Sequence, residues 1–153
     1  MGKLLVVNLH GMINVPTATR STLVQLGIGK RFAATVVGDD AVSKGEVRLC
    51  KDYVAWTSLD QTFLTDLLKA RAKRSNSKPL DDEGLKALGF KTHADMAKAI
   101  MADGGRLSTV GLKPFLGLSP PKGGFRRSSR RQFKEGGILG ENPQLVEIVR
   151  RMM

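Results

Sequence analysis

A chain of 153 residues with 41% hydrophobic residues and 17 glycines can fold as one domain with an appendage around a real core, which excludes disorder throughout. Its 25 Lys plus Arg against 14 Asp plus Glu give a net charge of +11 and a pI near 10.2. That excess in so small a protein points to a polyanionic partner, the plain alternative being a soluble protein that happens to be basic.

Distribution favours the polyanion. Residues 1–60 carry +2, residues 61–110 carry +3 and residues 111–153 carry +6, so the charge gathers toward the C-terminal end of a near-neutral body. Cys50 is the only cysteine, which rules out an intramolecular disulfide and suits a reducing compartment. No apolar run approaches the ~18 residues a membrane helix needs. Leu4 to Val7 is too short for a signal-peptide core and is interrupted by Asn8. A cytoplasmic protein without a membrane partner is expected.

Taken in chain order, Lys3 to Leu9 reads as a buried strand, and His10-Gly11 to Pro16 as a loop. Thr17 or Thr19 is expected to cap a helix carrying Leu23 and Leu26 on one face and stopped by Gly27. Phe32 to Val37 reads as a second strand. Asp39 or Asp40 is expected to cap a second helix with Val47 and Cys50 inward, and Tyr53 to Thr57 reads as a third strand. This β-α-β-α-β order predicts an α+β unit with two helices on one sheet face.

Ser58 to Gln61 has the form of a capping box and opens a helix through Phe63, Leu64, Leu67 and Leu68. Asp81 to Leu88 forms a short helix closed by Gly89, and Thr92 to Asp95 opens another, with Met96, Ala97, Ile100 and Met101 inward and Gly104-Gly105 at its end. Leu112 to Gly140 shows little periodicity, and its prolines and paired glycines are expected to break regular structure. Asn142-Pro143 starts a last helix with Leu145, Val146, Ile148, Val149 and Met152 on its core face. The expected organisation is a core over 1–58 and an extension over 59–153, containing a basic loop (112–140) and the C-terminal helix packed on the core.

The strongest chemical signal lies between Lys122 and Lys134, where six of thirteen residues are cationic and none is acidic. Lys122, Arg126, Arg127, Arg130, Arg131 and Lys134 would repel one another in water, and an RNA backbone supplies the missing negative charge while releasing its counterions. Gly123 and Gly124 allow the main chain to approach phosphates, Ser128 and Ser129 add hydroxyl donors, and Phe125 and Phe133 can pack or stack. A solvated loop with two phenylalanines anchored in the core is the alternative. Lys30-Arg31 forms a second basic pair that is either a contact or a solvated turn. Arg20 stands in the first turn of a helix, where the dipole disfavours a cation; either a phosphate docks there or it is an ordinary exposed arginine.

Signals for catalysis are poor. Gly27 to Arg31 lacks both the glycine spacing and the hydroxyl residue of a phosphate loop. His10 and His93 have no metal-ligand spacing with each other or with Cys50, and Asp39-Asp40 reads as a cap rather than an acid–base pair. No enzyme, cofactor or metal site is expected. Only 8 of 153 residues are aromatic, so recognition should rest on phosphates and RNA shape more than on stacking.

Several groups recur at a specific order and spacing: Thr22-Leu23, Leu26, Ile28 and Lys30; Val36-Val37 and Asp39; Lys44-Gly45; Lys51 to Val54 and Trp56. Together they resemble the large-subunit ribosomal protein thirty family, in its long archaeal and eukaryotic form, whose eukaryotic member is called protein seven. Lys78 to Leu80 and Pro120 to Phe125 resemble the extension of that long form, so the similarity spans nearly the whole chain. Asp40-Ala41 departs from it, standing where the family has Thr-Pro.

The resemblance implies a structural constituent of the large ribosomal subunit with a compact, ferredoxin-like α+β core and a three-stranded antiparallel sheet. It implies binding to 23S-type ribosomal RNA, with contacts from Arg20, Lys30, Arg31 and Lys44 in the core and from Lys122 to Lys134 in the extension. The 5S RNA region and neighbouring large-subunit proteins are further implied partners. A free-standing RNA chaperone or regulator is the competing reading.

Overall fold

The computed structural model describes residues 2–102 and 106–153. The expected end of a helix at Gly104-Gly105 lies outside the described residues. The first half follows the predicted order: β1 (Lys3–Asn8), α1 (Thr17–Gln25), β2 (Ala33–Gly38), α2 (Ala41–Leu49) and β3 (Val54–Ser58). Strands β2, β1 and β3 lie side by side and antiparallel, with Leu5 opposite both Val36 and Thr57.

The extension adds α3 (Gln61–Arg71), α4 (Asp82–Ala87), α5 (His93–Ala102), β4 (Leu116–Gly117), β5 (Ser128–Gln132), β6 (Gly137–Glu141) and α6 (Leu145–Met152). The expectation of a three-stranded sheet therefore requires correction. The sheet has six strands in the order β4-β2-β1-β3-β6-β5. Strand β4 pairs antiparallel with β2, and β6 runs parallel to β3 with Ala55 opposite Gly140. The expected aperiodic stretch 112–140 thus contributes all three added strands. Glycines and prolines punctuate it, but Ile138 and Leu139, both buried, are enough to seat β6 between β3 and β5.

Both faces of the central sheet are covered, which explains the uninterrupted apolar run of β1. Leu4 and Val6 pack with Leu23 of α1 and Val47 of α2 in one cluster. Leu5 and Val7 join Phe63, Leu64, Leu67 and Leu68 of α3, Ile100 of α5 and Val149 of α6 in the other. The two predicted helices do share one face of the sheet, and the extension supplies the second layer.

Asp40 caps α2 as expected, its carboxylate accepting from the Ser43 amide at 3.1 Å and the Ser43 hydroxyl at 2.8 Å. Those hydrogen bonds hold its pKa below the usual carboxylate value. Two other expected caps are not formed. The helix α1 begins directly after Pro16 with no side-chain cap, and Thr19 is buried instead. Ser58 remains paired with Leu4 in the sheet, so Asp60 takes the N-cap position of α3. At the last helix Asn142 acts earlier than expected, accepting from the Gln144 amide at 2.9 Å before α6 begins at Leu145.

Cys50 is fully buried with its thiol toward the Thr19 carbonyl, and burial, reinforced by the charge of Glu46, pushes its pKa up to about 11. Alkylation by iodoacetamide at pH 8 should therefore run about 100-fold slower in the native protein than in the unfolded chain. Equal rates in both states would place the thiol at the surface.

Candidate nucleic-acid interface

The basic segment begins as a turn stitched to the C-terminal helix. Arg151 donates from Nη1 to the carbonyls of Lys122 at 3.2 Å and Gly124 at 2.6 Å, while the Lys122 amide donates back to the Arg151 carbonyl at 3.1 Å. Gly123 and Gly124 both have positive φ, +77° and +73°, and a Cβ at either would meet nothing within 4 Å. Their role is backbone conformation and not close packing. Phe125 is half-buried against the core with its ring 6.0 Å from that of Phe32.

Beyond this turn the segment is a strand. Ser128 to Gln132 form β5, the outermost strand on that side of the sheet, paired irregularly with β6 through Ser128–Gly137 and Gln132–Leu139. Gln132 fastens β5 to the α2–β3 turn by donating to the Lys51 carbonyl at 2.9 Å and to Asp52 Oδ1 at 3.3 Å. Arg126, Arg127, Arg130, Arg131 and Lys134 remain exposed, and the Arg127 guanidinium lies 5.3 Å from the Phe133 ring. Charge on an edge strand also blocks unwanted strand pairing, a purely protective role that competes with ligand binding.

The core cations fall into different settings. Lys44 is ion-paired with Asp39 at 2.8 Å. Arg20 donates to the Met12 carbonyl at 3.3 Å, which ties α1 to the preceding loop. Lys30 lies 5.8 Å from the Phe115 ring, with Lys113 5.9 Å from the same ring.

The fold brings two sets of these residues together. Arg31 joins Ser129 and Arg130 in one cleft, with His10, Asp52 and Tyr53. Lys44 and Lys134 share a second groove with Arg48, Trp56 and Phe133. Arg20 and Lys30 line neither. Sequence reasoning did not single out His10, Arg48, Tyr53 and Trp56, which line these two clefts. The available signal was Ile138-Leu139 between glycines, because a strand there pairs with β3 and seats the basic strand β5 on its far side.

Among the described residues no cluster of His, Cys, Asp and Glu has the arrangement of a metal site. No helix among them is long and apolar enough to cross a membrane.

Comparison with known proteins adds an independent line. A family model described as Ribosomal protein L30p/L7e matches residues 4–54, from β1 to the first residue of β3. The large ribosomal subunit protein uL30 of Nitrosopumilus maritimus is 33% identical over 150 residues, covering 97% of both chains. That of Methanothrix thermoacetophila is 32% identical over 148 residues, covering 96% of this chain and 97% of its own. The Thermofilum pendens protein is 32% identical over 156 residues and matches all of both chains. The family is one of structural ribosomal proteins and not of enzymes. With the match extending through the extension as well as the core, the chain belongs to the uL30 family of large ribosomal subunit proteins.

Proposed function

We propose that this protein is a structural constituent of the cytoplasmic large ribosomal subunit that binds 23S-type ribosomal RNA through phosphate and shape contacts. Its family supports the ribosomal placement. The observation that carries the RNA reading is the segment from Lys122 to Lys134, with six cations, no acid and a backbone anchored by Arg151 and by pairing with β6. Arg130 and Arg131, already held on β5, lose less conformational entropy when they meet phosphates than cations on a free loop.

In this reading residues 1–58 dock on folded RNA while the 59–153 extension presents its basic segment between RNA helices. Arg20, Lys30, Arg31 and Lys44 add core contacts, Lys44 exchanging its Asp39 partner for a phosphate. Ser128 and the Gly123-Gly124 turn complete the contact set, and the 5S RNA region and neighbouring subunit proteins are further partners.

Sucrose-gradient sedimentation of native-source lysate at moderate salt tests this. The protein should travel with large subunits and whole ribosomes at about one copy each. A pool confined to the top of the gradient would instead identify a free-standing RNA chaperone or regulator using the same basic surface.

A further inference from the structure

A polar cleft of about 430 Å³ lies where the end of β1 and the start of β3 meet the outer strand β5. Its residues come from four separate parts of the sequence, and a buried asparagine organises two of them. Asn8, fully buried, donates from Nδ2 to the Ile28 carbonyl at 2.7 Å. Its Oδ1 accepts from the amides of His10 at 3.1 Å and Gly11 at 2.9 Å. One side chain thus ties the 10–11 turn to the segment leading into Arg31.

The Asn8 carbonyl also accepts from the Phe32 amide at 2.6 Å, and Phe32 holds a φ of +62°. That region is costly for a bulky residue and persists only where the surroundings impose it. Arg31 is set beside this turn, its guanidinium 4.7 Å from the Phe32 ring.

The opposite wall is aromatic. The Leu9 amide donates to the Tyr53 carbonyl at 3.1 Å, and the His10 and Tyr53 rings meet edge to face, 5.1 Å apart at 69°. From β5, Ser129 and Arg130 close the third side. Among the described residues Asp52 is the one acid lining the cleft, and its carboxylate already accepts from Gln132 at 3.3 Å. Two arginines and a hydroxyl are therefore gathered beside an aromatic pair.

We propose that this cleft is a subsite for one unstacked RNA nucleotide, its phosphate held between Arg31 and Arg130 and its base laid against the His10–Tyr53 pair. The proposal rests on the RNA-binding reading and deepens it. A paired A-form helix buries the faces of its bases, so only a bulged, looped or single-stranded nucleotide can satisfy both halves of the cleft. Recognition here would use stacking, which the low aromatic content of the chain alone argued against.

Tyr53 is the only tyrosine, so its ring resonances report on the cleft without ambiguity. The assay uses the isolated full-length protein with a mixed-sequence single-stranded RNA hexamer and, as control, a fully paired duplex of the same composition. The hexamer should shift the Tyr53 ring protons upfield and the duplex should not. Tyr53→Leu should weaken hexamer binding about 5-fold or more while leaving duplex binding unchanged. Tyr53→Phe, which keeps the ring, should retain hexamer affinity.

Because they share one phosphate, Arg31→Ala and Arg130→Ala should each weaken hexamer binding, and the double variant by less than the sum of the two singles. A silent Tyr53 at saturating hexamer, an equal shift with duplex, or additive arginine effects would overturn the subsite. Full competition by hexaglutamate with the same Tyr53 shift would also overturn it and give the cleft to a protein neighbour. Failure here leaves the ribosomal placement standing, because sedimentation tests that placement by itself.

Discussion

Replacing Gly137 with alanine should release β5 from the sheet and lower stability by about 1–3 kcal/mol. The methyl group would run into the main-chain carbonyl of Arg131, a backbone atom that no rotamer change can move aside. Relief requires the β5 backbone itself to shift, and β5 is an edge strand held by β6 and the Gln132 tether. For a chain of this size the cost corresponds to a fall in Tm of roughly 2–12 °C, taking about 2–4 °C per kcal/mol.

Hydrogen exchange would locate the damage. Amides of β5 should lose protection while those of β1, β2 and β3 keep it. Gly117→Ala is the matched control, since a Cβ there meets nothing within 4 Å, and should change stability by less than about 0.5 kcal/mol. Wild-type stability and unchanged β5 protection in Gly137→Ala would mean that β5 does not pair with β6 in solution.

Changing Arg126, Arg127, Arg130 and Arg131 together to alanine should have the opposite profile, large on RNA binding and small on the fold. All four are exposed, and the ring contact of Arg127 with Phe133 is worth only about 0.5–1 kcal/mol at such a site. Removing four charges from a net of +11 leaves +7, so the general attraction for RNA persists but the local cluster is gone. If each arginine neutralises one phosphate, the slope of log K against log salt should flatten by about 3, at ~0.7–0.9 per phosphate. Thermal unfolding of the free protein should barely move. An unaltered salt slope would remove β5 and its preceding turn from the RNA interface, whereas a large stability loss would make these arginines structural.

The two variants separate presentation from charge. Gly137→Ala keeps every cation but unseats the strand that carries Arg130 and Arg131, whereas the four-arginine change keeps the strand and removes its charge together with that of the preceding turn. Comparing their RNA affinities tells how much of the binding depends on holding the cations in place before the RNA arrives.

By itself the sequence determined what depends on neighbours along the chain. Apolar and β-branched runs placed β1, β2 and β3 within a residue or so of their observed ends, and Asp40, Gly27 and Gly89 mark helix boundaries where capping and positive-φ chemistry require them. The four-residue spacing of Phe63 and Leu67, with Leu64 and Leu68 beside them, gave the buried face of α3. Net charge, being a sum over local composition, exposed the Lys122–Lys134 cluster without any knowledge of the fold. Local rules failed where a residue had two eligible roles: Ser58 suits a helix cap, but its backbone is already engaged in β3 opposite Leu4.

Only the tertiary structure decided what the C-terminal part becomes. The two-residue strand β4 and the five-residue strand β6 have too few side chains to show a period, and their hydrogen-bonding partners, β2 and β3, lie far back in the sequence. Their formation depends on a sheet edge that exists only after the first half has folded. The same cause hid the clefts. Arg31 and Arg130 line one cleft because Asn8 fixes the turn beside one, while pairing with β6 and the Gln132 tether fix the strand that carries the other. Charge and periodicity are local quantities that a sequence displays directly, whereas strand order and the meeting of distant side chains follow from which unsatisfied edges and apolar faces the folded core offers.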